Sequence, residues 1–137
     1  MKYIAVIASL LLAAPALTGD LWEAICLVES GNIATAYNPA EQAAGIAQIR
    51  PIVIECINDY LGYEKFTLDD RYCPKKSREI FMEYTWMWIV RKGWHTSDEV
   101  RARIWNGGPD GPRKHATLAY WERVQEQMQR LREGRAK

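Results

Sequence analysis

The chain has 137 residues, which is enough for one domain with a hydrophobic core of its own. Hydrophobic residues make up 48% of the chain, so a fold of this size does not require disulfide bonds. The 18 basic and 17 acidic residues nearly cancel, and this balance argues against a nucleic-acid-binding surface, which usually carries a clustered basic excess.

The N-terminal residues 1–16 have the order of a signal peptide. Lys2 supplies a positive charge, Tyr3–Leu12 forms an apolar run, and Ala14-Pro15-Ala16 is a small-x-small cleavage site. The apolar run is too short for a stable membrane span, which takes about 20 residues. A buried first helix is the alternative interpretation. We predict export to the periplasm or the medium after cleavage near Ala16, with residues 17–137 as the mature domain.

The rest of the sequence predicts a mainly α-helical domain with a minor β element. Helices are expected over residues 20–30, 51–61, 74–92, 98–105 and from 118 onward. Asp20, Ser97 and Thr117 are the expected caps of the first, fourth and last helices. The segment 32–50 contains Asn38-Pro39 and Gly45, and it predicts irregular structure with a short hairpin. Apolar residues at helical spacing indicate a core face on the third and last helices (Ile80, Phe81, Tyr84, Met87, Trp88; Trp121, Val124, Met128, Leu131).

The cysteine and histidine content does not indicate a metal site. Cys26 lies on an apolar helix face and is interpreted as a buried small hydrophobe, whereas Cys56 and Cys73 flank a helix-to-loop segment and could close a loop. The odd count leaves at least one thiol unpaired within the chain. No zinc-like spacing is present, so we expect neither a metal nor an organic cofactor.

Glu29 places a carboxylate on an otherwise apolar helix face. Trp22, Ile25, Cys26 and Glu29 follow at i, i+3, i+4 and i+7 and therefore share one face. Glu29 also lies at the helix C-terminus, where the macrodipole disfavours negative charge by ~0.3–1 kcal/mol. Burial and dipole both raise the pKa of the carboxyl group, and a protonated acid is what glycoside cleavage needs. By helix position alone, a glutamate that bends out to solvent is the commoner case.

Four short motifs follow one another along the chain: Glu29-Ser30-Gly31-Asn32, Gly45-Ile46-Ala47-Gln48-Ile49, the stretch from Arg103 to Pro109, and Thr117 with Tyr120. This series resembles the lysozyme-like superfamily, in particular the catalytic domain of soluble lytic transglycosylases. There, E-S-x-x-N carries the acid, G-x-x-Q-I lines the cleft, and an aromatic-N-x-G loop followed by T-x-x-Y closes it. The Arg-Ile-Trp-Asn-Gly-Gly-Pro stretch is also similar to R-I-H-N-G-G-P of invertebrate-type lysozymes. The resemblance covers roughly residues 20 to 125.

The resemblance implies a single lysozyme-like domain that binds peptidoglycan glycan strands as a monomer. It implies cleavage of the bond from N-acetylmuramic acid to N-acetylglucosamine, with Glu29 as the acid. It also implies a set of substrate-binding residues (Ser30, Gln48, Ile49, Trp105, Asn106, Gly107 and Tyr120). Within that set, the Gln48 amide offers both donor and acceptor groups, Gly107 allows close approach of the backbone to a ligand, and Tyr120 is expected to bring its hydroxyl near Glu29.

The second carboxylate of a hydrolase has no secure match in the sequence. Glu41 lies in the loop after Glu29, where a solvated loop residue is the commoner interpretation, and Asp69 and Asp70 are interpreted as turn or cap residues. Trp105 also stands where the related families carry Tyr or His. The resemblance therefore favours a lytic transglycosylase, in which the muramic 6-hydroxyl attacks and Glu29 serves as acid and base. The alternatives are a hydrolytic lysozyme that uses Glu41 or an aspartate, a non-catalytic glycan-binding domain, and a scaffold protein of a secretion or phage machine.

Overall fold

The computed structural model describes residues 19–136, and the predicted signal peptide lies outside these residues. Within this range the chain forms five α-helices and one small antiparallel sheet, which confirms the mainly α fold class with a minor β element. The elements, in chain order, are α1 (Gly19–Ser30), β1 (Tyr37–Asn38), β2 (Ala43–Ala44), α2 (Pro51–Leu61), α3 (Pro74–Lys92), α4 (Asp98–Gly107) and α5 (Leu118–Arg135).

Helices α2 and α3 begin and end where the sequence predicted. Pro51 and Pro74 occupy first-turn positions, where the missing N–H costs no helical hydrogen bond. Gly62 and Gly93 follow the helices in the left-handed conformation, with φ of 77° and 69°. Ser97 caps α4 as predicted, since its hydroxyl accepts a 3.1 Å hydrogen bond from the Val100 N–H.

Two of the predicted caps are wrong. Asp20 lies inside the first turn of α1, and its carboxylate pairs with Arg132 at 3.2 Å and with Arg135, because α1 packs beside α5. Thr117 precedes α5 but makes no capping bond. Its hydroxyl instead donates to the Gly111 carbonyl at 2.7 Å and accepts from Arg103 Nε at 2.8 Å.

The hairpin expected in segment 32–50 is present and short. Tyr37 pairs with Ala44 and Asn38 with Ala43, and Ala44 then forms an isolated bridge to Ile49. The segment therefore folds back on itself between α1 and α2. The loop predicted from residue 106 begins later, because Asn106 and Gly107 complete α4.

The predicted apolar face of α3 lies in the core, with Trp88 only partly buried at its margin. Ile80 and Phe81 are fully buried, and the Phe81 ring lies 5.6 Å from Trp22 of α1 and 5.0 Å from Trp105 of α4 between centroids. Val124 and Met128 of α5 also enter the core. Helices α1, α3 and α4 thus share one aromatic cluster, and this cluster fixes the helix that carries Glu29.

The three cysteines are free, so Cys56 and Cys73 do not form the disulfide bond that could have closed the loop between them. Cys26 is buried, as expected, and burial raises the pKa of its thiol to about 12. Between residues 19 and 136, no helix has both the length and the apolar character needed to cross a membrane.

Candidate active site

Glu29 lies in the last turn of α1 and is partly buried. Its Oε1 accepts a 2.8 Å hydrogen bond from the hydroxyl of Tyr120, a buried residue of the first turn of α5. The structure therefore places the Tyr120 hydroxyl beside Glu29, where the sequence expected it. Because α1 and α5 pack along one another, this contact joins residues that are 91 positions apart in the chain.

The environment of Glu29 raises the pKa of its carboxyl group to about 7. Burial is the largest cause, because desolvation disfavours the charged form. The hydrogen bond from Tyr120 opposes this shift, whereas the negative charge of Glu41 adds to it. The cations of Arg50 and Arg123 also lower the pKa. Glu29 is therefore able to carry a proton near neutral pH.

Glu29 opens onto a cleft with two walls of different origin. We call the helical side the helical wall (Glu29, Val53, Trp105 and Asn106) and the side formed by residues 41–50 the loop wall (Glu41, Gln48 and Arg50). The two carboxylates of the cleft thus come from different walls. Two carboxylates that line one cleft in different environments can divide acid and base roles between them.

The loop wall is held by hydrogen bonds to its own backbone. Gln48 has φ of 51°, and its side-chain Nε2 donates to the carbonyl of Gly45 at 3.0 Å and to that of Ala36 at 3.4 Å. The Ser30 hydroxyl donates to the Ile46 carbonyl at 2.7 Å. Ser30 therefore supports the loop from the end of α1, and it is not among the residues that line the cleft.

Arg71 is a buried cation that holds the same loop by hydrogen bonds to backbone carbonyl groups. Its Nη1 donates to the carbonyls of Gln42 at 2.7 Å and Ile49 at 3.0 Å, and its Nε donates to the Leu68 carbonyl at 2.8 Å. Gly45, with φ of 81°, lies so close that any side chain there would meet the Arg71 carbonyl. The segment between Gln42 and Ile49 is thus closed over Arg71, and Glu41 and Arg50 flank its two ends.

The helical wall is joined to the loop wall through Trp105. The indole N–H donates to the Ala47 carbonyl at 3.3 Å, and the ring packs edge-on against Phe81 and Tyr84. Trp105 is only 7% exposed, so it offers the cleft little surface on which a sugar ring could stack. Asn106 follows it and is exposed in the cleft.

No protein-family model matches the chain. A lysozyme from Magallana gigas is 33% identical to it over 105 residues, which span 75% of this chain and 74% of that protein. The chain belongs to the lysozyme family.

The fold of this lysozyme-family chain is also similar to that of a protein of known structure. A chain from the crystal structure of Aeromonas hydrophila PliI in complex with Meretrix lusoria lysozyme matches it with a TM-score of 0.69. The identity is 21%, and the match covers 80% of this chain and 89% of that chain. At this identity the likeness concerns the fold alone. Together with the family relation, it confirms the lysozyme-like fold that the motifs predicted.

Four expected substrate-binding residues do not line this lysozyme-family cleft: Ser30 and Tyr120, which support it through hydrogen bonds, and Ile49 and Gly107. Ile49 is fully buried, and its side chain belongs to the core because the residue bridges to Ala44 beneath the hairpin. Gly107 is packed against Thr117, whose methyl group a side chain at this position would meet. The glycine is therefore required for the contact between α4 and the segment before α5, and it does not line the cleft.

The sequence analysis missed two residues of the cleft, Arg50 and Val53. The sequence did contain a signal for Arg50. Pro51 starts α2, so the residue before it is the helix N-cap, at the point where the chain leaves the loop wall.

Asp69 and Asp70 have the turn role proposed for them. They begin a short 3₁₀ turn, and Asp70 accepts a 2.9 Å hydrogen bond from the Thr67 N–H. Across residues 19–136, the His, Cys, Asp and Glu side chains form no group of three that could hold a metal ion.

Proposed function

We propose that this lysozyme-family chain is a muramidase that hydrolyses peptidoglycan, with Glu29 as general acid and Glu41 as the second carboxylate. The observation that carries the proposal is that Glu29 and Glu41 line one cleft from two walls. The printed name of the Magallana gigas relative, lysozyme, supports the substrate class and the reaction. The scissile bond is the one from N-acetylmuramic acid to N-acetylglucosamine.

Glu29 has the protonation state that a general acid requires. With a pKa of about 7, a substantial fraction of the carboxyl group keeps its proton at neutral pH. The proton passes to the glycosidic oxygen as the bond from that oxygen to the anomeric carbon breaks and an oxocarbenium-like transition state forms. Tyr120 donates to Oε1 and holds the carboxyl group in one orientation during this transfer.

Glu41 provides the negative charge that a hydrolase needs beyond its acid. A carboxylate in the cleft activates a water molecule or attacks the anomeric carbon, depending on its separation from the acid. The water oxygen ends on the anomeric carbon, and the released proton restores the acid. The electrostatic effect of Glu41 on the pKa of Glu29 supports this pairing. Glu41 is an exposed loop residue, but it lines the cleft, and a loop residue remote from the cleft would not exert this effect.

The lytic transglycosylase that the sequence motifs favoured is the second candidate. Its support is the T-x-x-Y motif together with the 2.8 Å hydrogen bond from Tyr120 to Glu29. In that reaction the muramic 6-hydroxyl replaces water, so Glu29 serves as acid and base and Glu41 has no chemical role. Substitution of Glu41 therefore separates the two reactions.

The test is the rate of peptidoglycan cleavage by the wild type and by Glu29→Gln, Glu41→Gln and Glu126→Gln. Glu126 is an exposed residue of α5 outside the cleft, and Glu126→Gln is the control for loss of one negative charge. We expect Glu29→Gln and Glu41→Gln each to lose ~10²–10⁴-fold in rate, with the control unchanged.

Two results would redirect the proposal. Loss of rate in Glu29→Gln, with less than a tenfold loss in Glu41→Gln, would favour the transglycosylase. Binding of glycan by a wild type that never cleaves it would make the chain a peptidoglycan-binding domain.

We further propose that the protein acts after export. N-terminal sequencing of exported material that starts near residue 17 would support this.

A further inference from the structure

Arg50 lies at the junction between the loop wall and α2. The bridge of Ile49 to Ala44, with backbone hydrogen bonds of 2.9 and 3.1 Å, fixes the residue before it, and Pro51 begins the helix after it. Arg50 itself is extended, with φ of −80° and ψ of 151°. Its backbone is therefore held from both sides while its partly buried side chain lines the cleft.

The guanidinium of Arg50 has no hydrogen-bond or ion-pair partner within residues 19–136. Arg71 and Arg103 differ, because each donates to several groups of the protein (for Arg103 the Thr117 hydroxyl, the Glu99 carboxylate and the Lys114 carbonyl). An arginine carries five N–H donors in a planar fork and is always charged. The protein thus engages none of the Arg50 donors within these residues, and the guanidinium is available to a ligand in the cleft.

The acidic residues of the cleft suggest what Arg50 contributes to binding. Glu41, together with Glu29 whenever it is ionised, lines this space, so an anionic ligand would meet negative charge there. A glycan with N-acetylmuramic acid bears carboxylates on its lactyl groups or on the peptides attached to them, whereas a glycan of N-acetylglucosamine alone is neutral. An arginine fork matches a carboxylate with two parallel hydrogen bonds. A cation in the cleft therefore offsets the repulsion for an anionic glycan and gives no advantage to a neutral one.

We infer that Arg50 is the specificity-determining residue of the cleft and that it binds a carboxylate carried by the muramic residue of the substrate. This inference rests on the proposed function and narrows its substrate class to anionic glycans. Arg50 acts on binding, so its effect is measurable without turnover.

The experiment measures binding by titration calorimetry in a Glu29→Gln background, which removes both cleavage and the titrating acid. The ligands are peptide-bearing glycan strands, strands with the peptides removed and free lactyl carboxylates, and the same stripped strands with their carboxylates methyl-esterified. Arg50→Gln and Arg50→Lys are compared with Arg91→Gln. Arg91 is an exposed arginine of α3 that lies over Tyr60 and Trp88, away from the cleft.

We expect Arg50→Gln to weaken binding of the carboxylate-bearing strands ~10–100-fold, as for a hydrogen-bonded charged group. Binding of the esterified strands should change less than about threefold. Arg50→Lys should recover part of the loss, because it keeps the charge without the fork. A loss confined to peptide-bearing strands would assign the carboxylate to the peptide, and a loss on stripped strands would assign it to the lactyl group.

Equal weakening for esterified and free strands would overturn the inference, and so would a loss as large in Arg91→Gln. Failure of the Glu29→Gln protein to bind any of the three glycans would instead contradict the proposed function. The two failures are therefore distinguishable.

Discussion

The helical wall and the loop wall of the cleft are held in place by different kinds of interaction. Glu29 and Trp105 are fixed by packing of apolar side chains from α1, α3 and α4, and Tyr120 of α5 adds one hydrogen bond. The loop wall contains one short strand, β2, and besides the burial of its apolar side chains it is held by backbone carbonyl groups that accept from Arg71, Ser30 and Gln48. The helical wall thus depends mainly on the core, whereas the loop wall depends in addition on a few polar donors that can be removed one at a time.

The strongest test of this difference is the removal of the Arg71 guanidinium. Arg71→Met removes the side-chain donor from the Gln42, Ile49 and Leu68 carbonyls, of which Ile49 and Leu68 each keep one backbone N–H, so the loop wall should lose part of its shape. We expect a loss of ~2–4 kcal/mol in the free energy of unfolding and at least a ~10-fold loss in peptidoglycan cleavage. Chemical denaturation and a turnover assay on the same samples provide both numbers.

Arg101→Met is the matched control. Arg101 is 2% exposed, but its Nη1 donates to the Thr85 hydroxyl of α3 and it does not touch the loop wall. A similar loss of stability with less than a threefold loss of rate is expected. Equal losses of rate in both variants would mean that Arg71 acts only through global stability, and the contrast between the walls would fail.

The helical wall can be probed by the pH dependence of stability. The pKa of Glu29 is raised from 4.5 to about 7 in the fold, so the native state holds a proton that the unfolded chain releases in this range. Stability from this group is therefore complete below about pH 4.5 and is lost as pH rises through about 7. The difference between the wild type and Glu29→Gln in free energy of unfolding should change by roughly 2–3 kcal/mol across this window. A constant difference would mean that the carboxyl group is not protonated in the fold.

The sequence predicted the helices that form the helical wall more closely than it predicted the contacts that support the loop wall. Helix spacing and the Pro51, Gly62 and Gly93 signals act over one or two turns, so they gave α2, α3 and the apolar face that ends in Glu29. Arg71 contacts carbonyls 22 and 29 positions away, and no local pattern distinguishes it from a surface arginine. Ile49 and Gly107 were expected to bind substrate, but residues of other elements pack against both of them. No local pattern in the sequence indicates those contacts.

The smallest expected effect is that of the Tyr120 hydroxyl. Its hydrogen bond lowers the pKa of Glu29, so Tyr120→Phe should raise this pKa and move the alkaline limb of the pH–rate profile upward. The maximal rate should fall only several-fold, because the carboxyl group keeps its burial and its proton.

Glu41→Gln should shift the pKa of Glu29 in the opposite direction, downward, since the charge of Glu41 raises it. Carbon-13 NMR titration of the Glu29 carboxyl group measures both shifts, and shifts of the same sign would contradict the assigned causes.

Analysis of the products in water labelled with a heavy oxygen isotope tests the central claim most directly. Hydrolysis by Glu29 and Glu41 transfers the oxygen of water to the anomeric carbon of the muramic residue. Mass spectrometry of a peptidoglycan digest should therefore find reducing-end muropeptides that carry the label in proportion to its abundance in the water. Anhydro-muropeptides without label, lighter than the reducing products by one water molecule, would contradict hydrolysis and make the protein a transglycosylase.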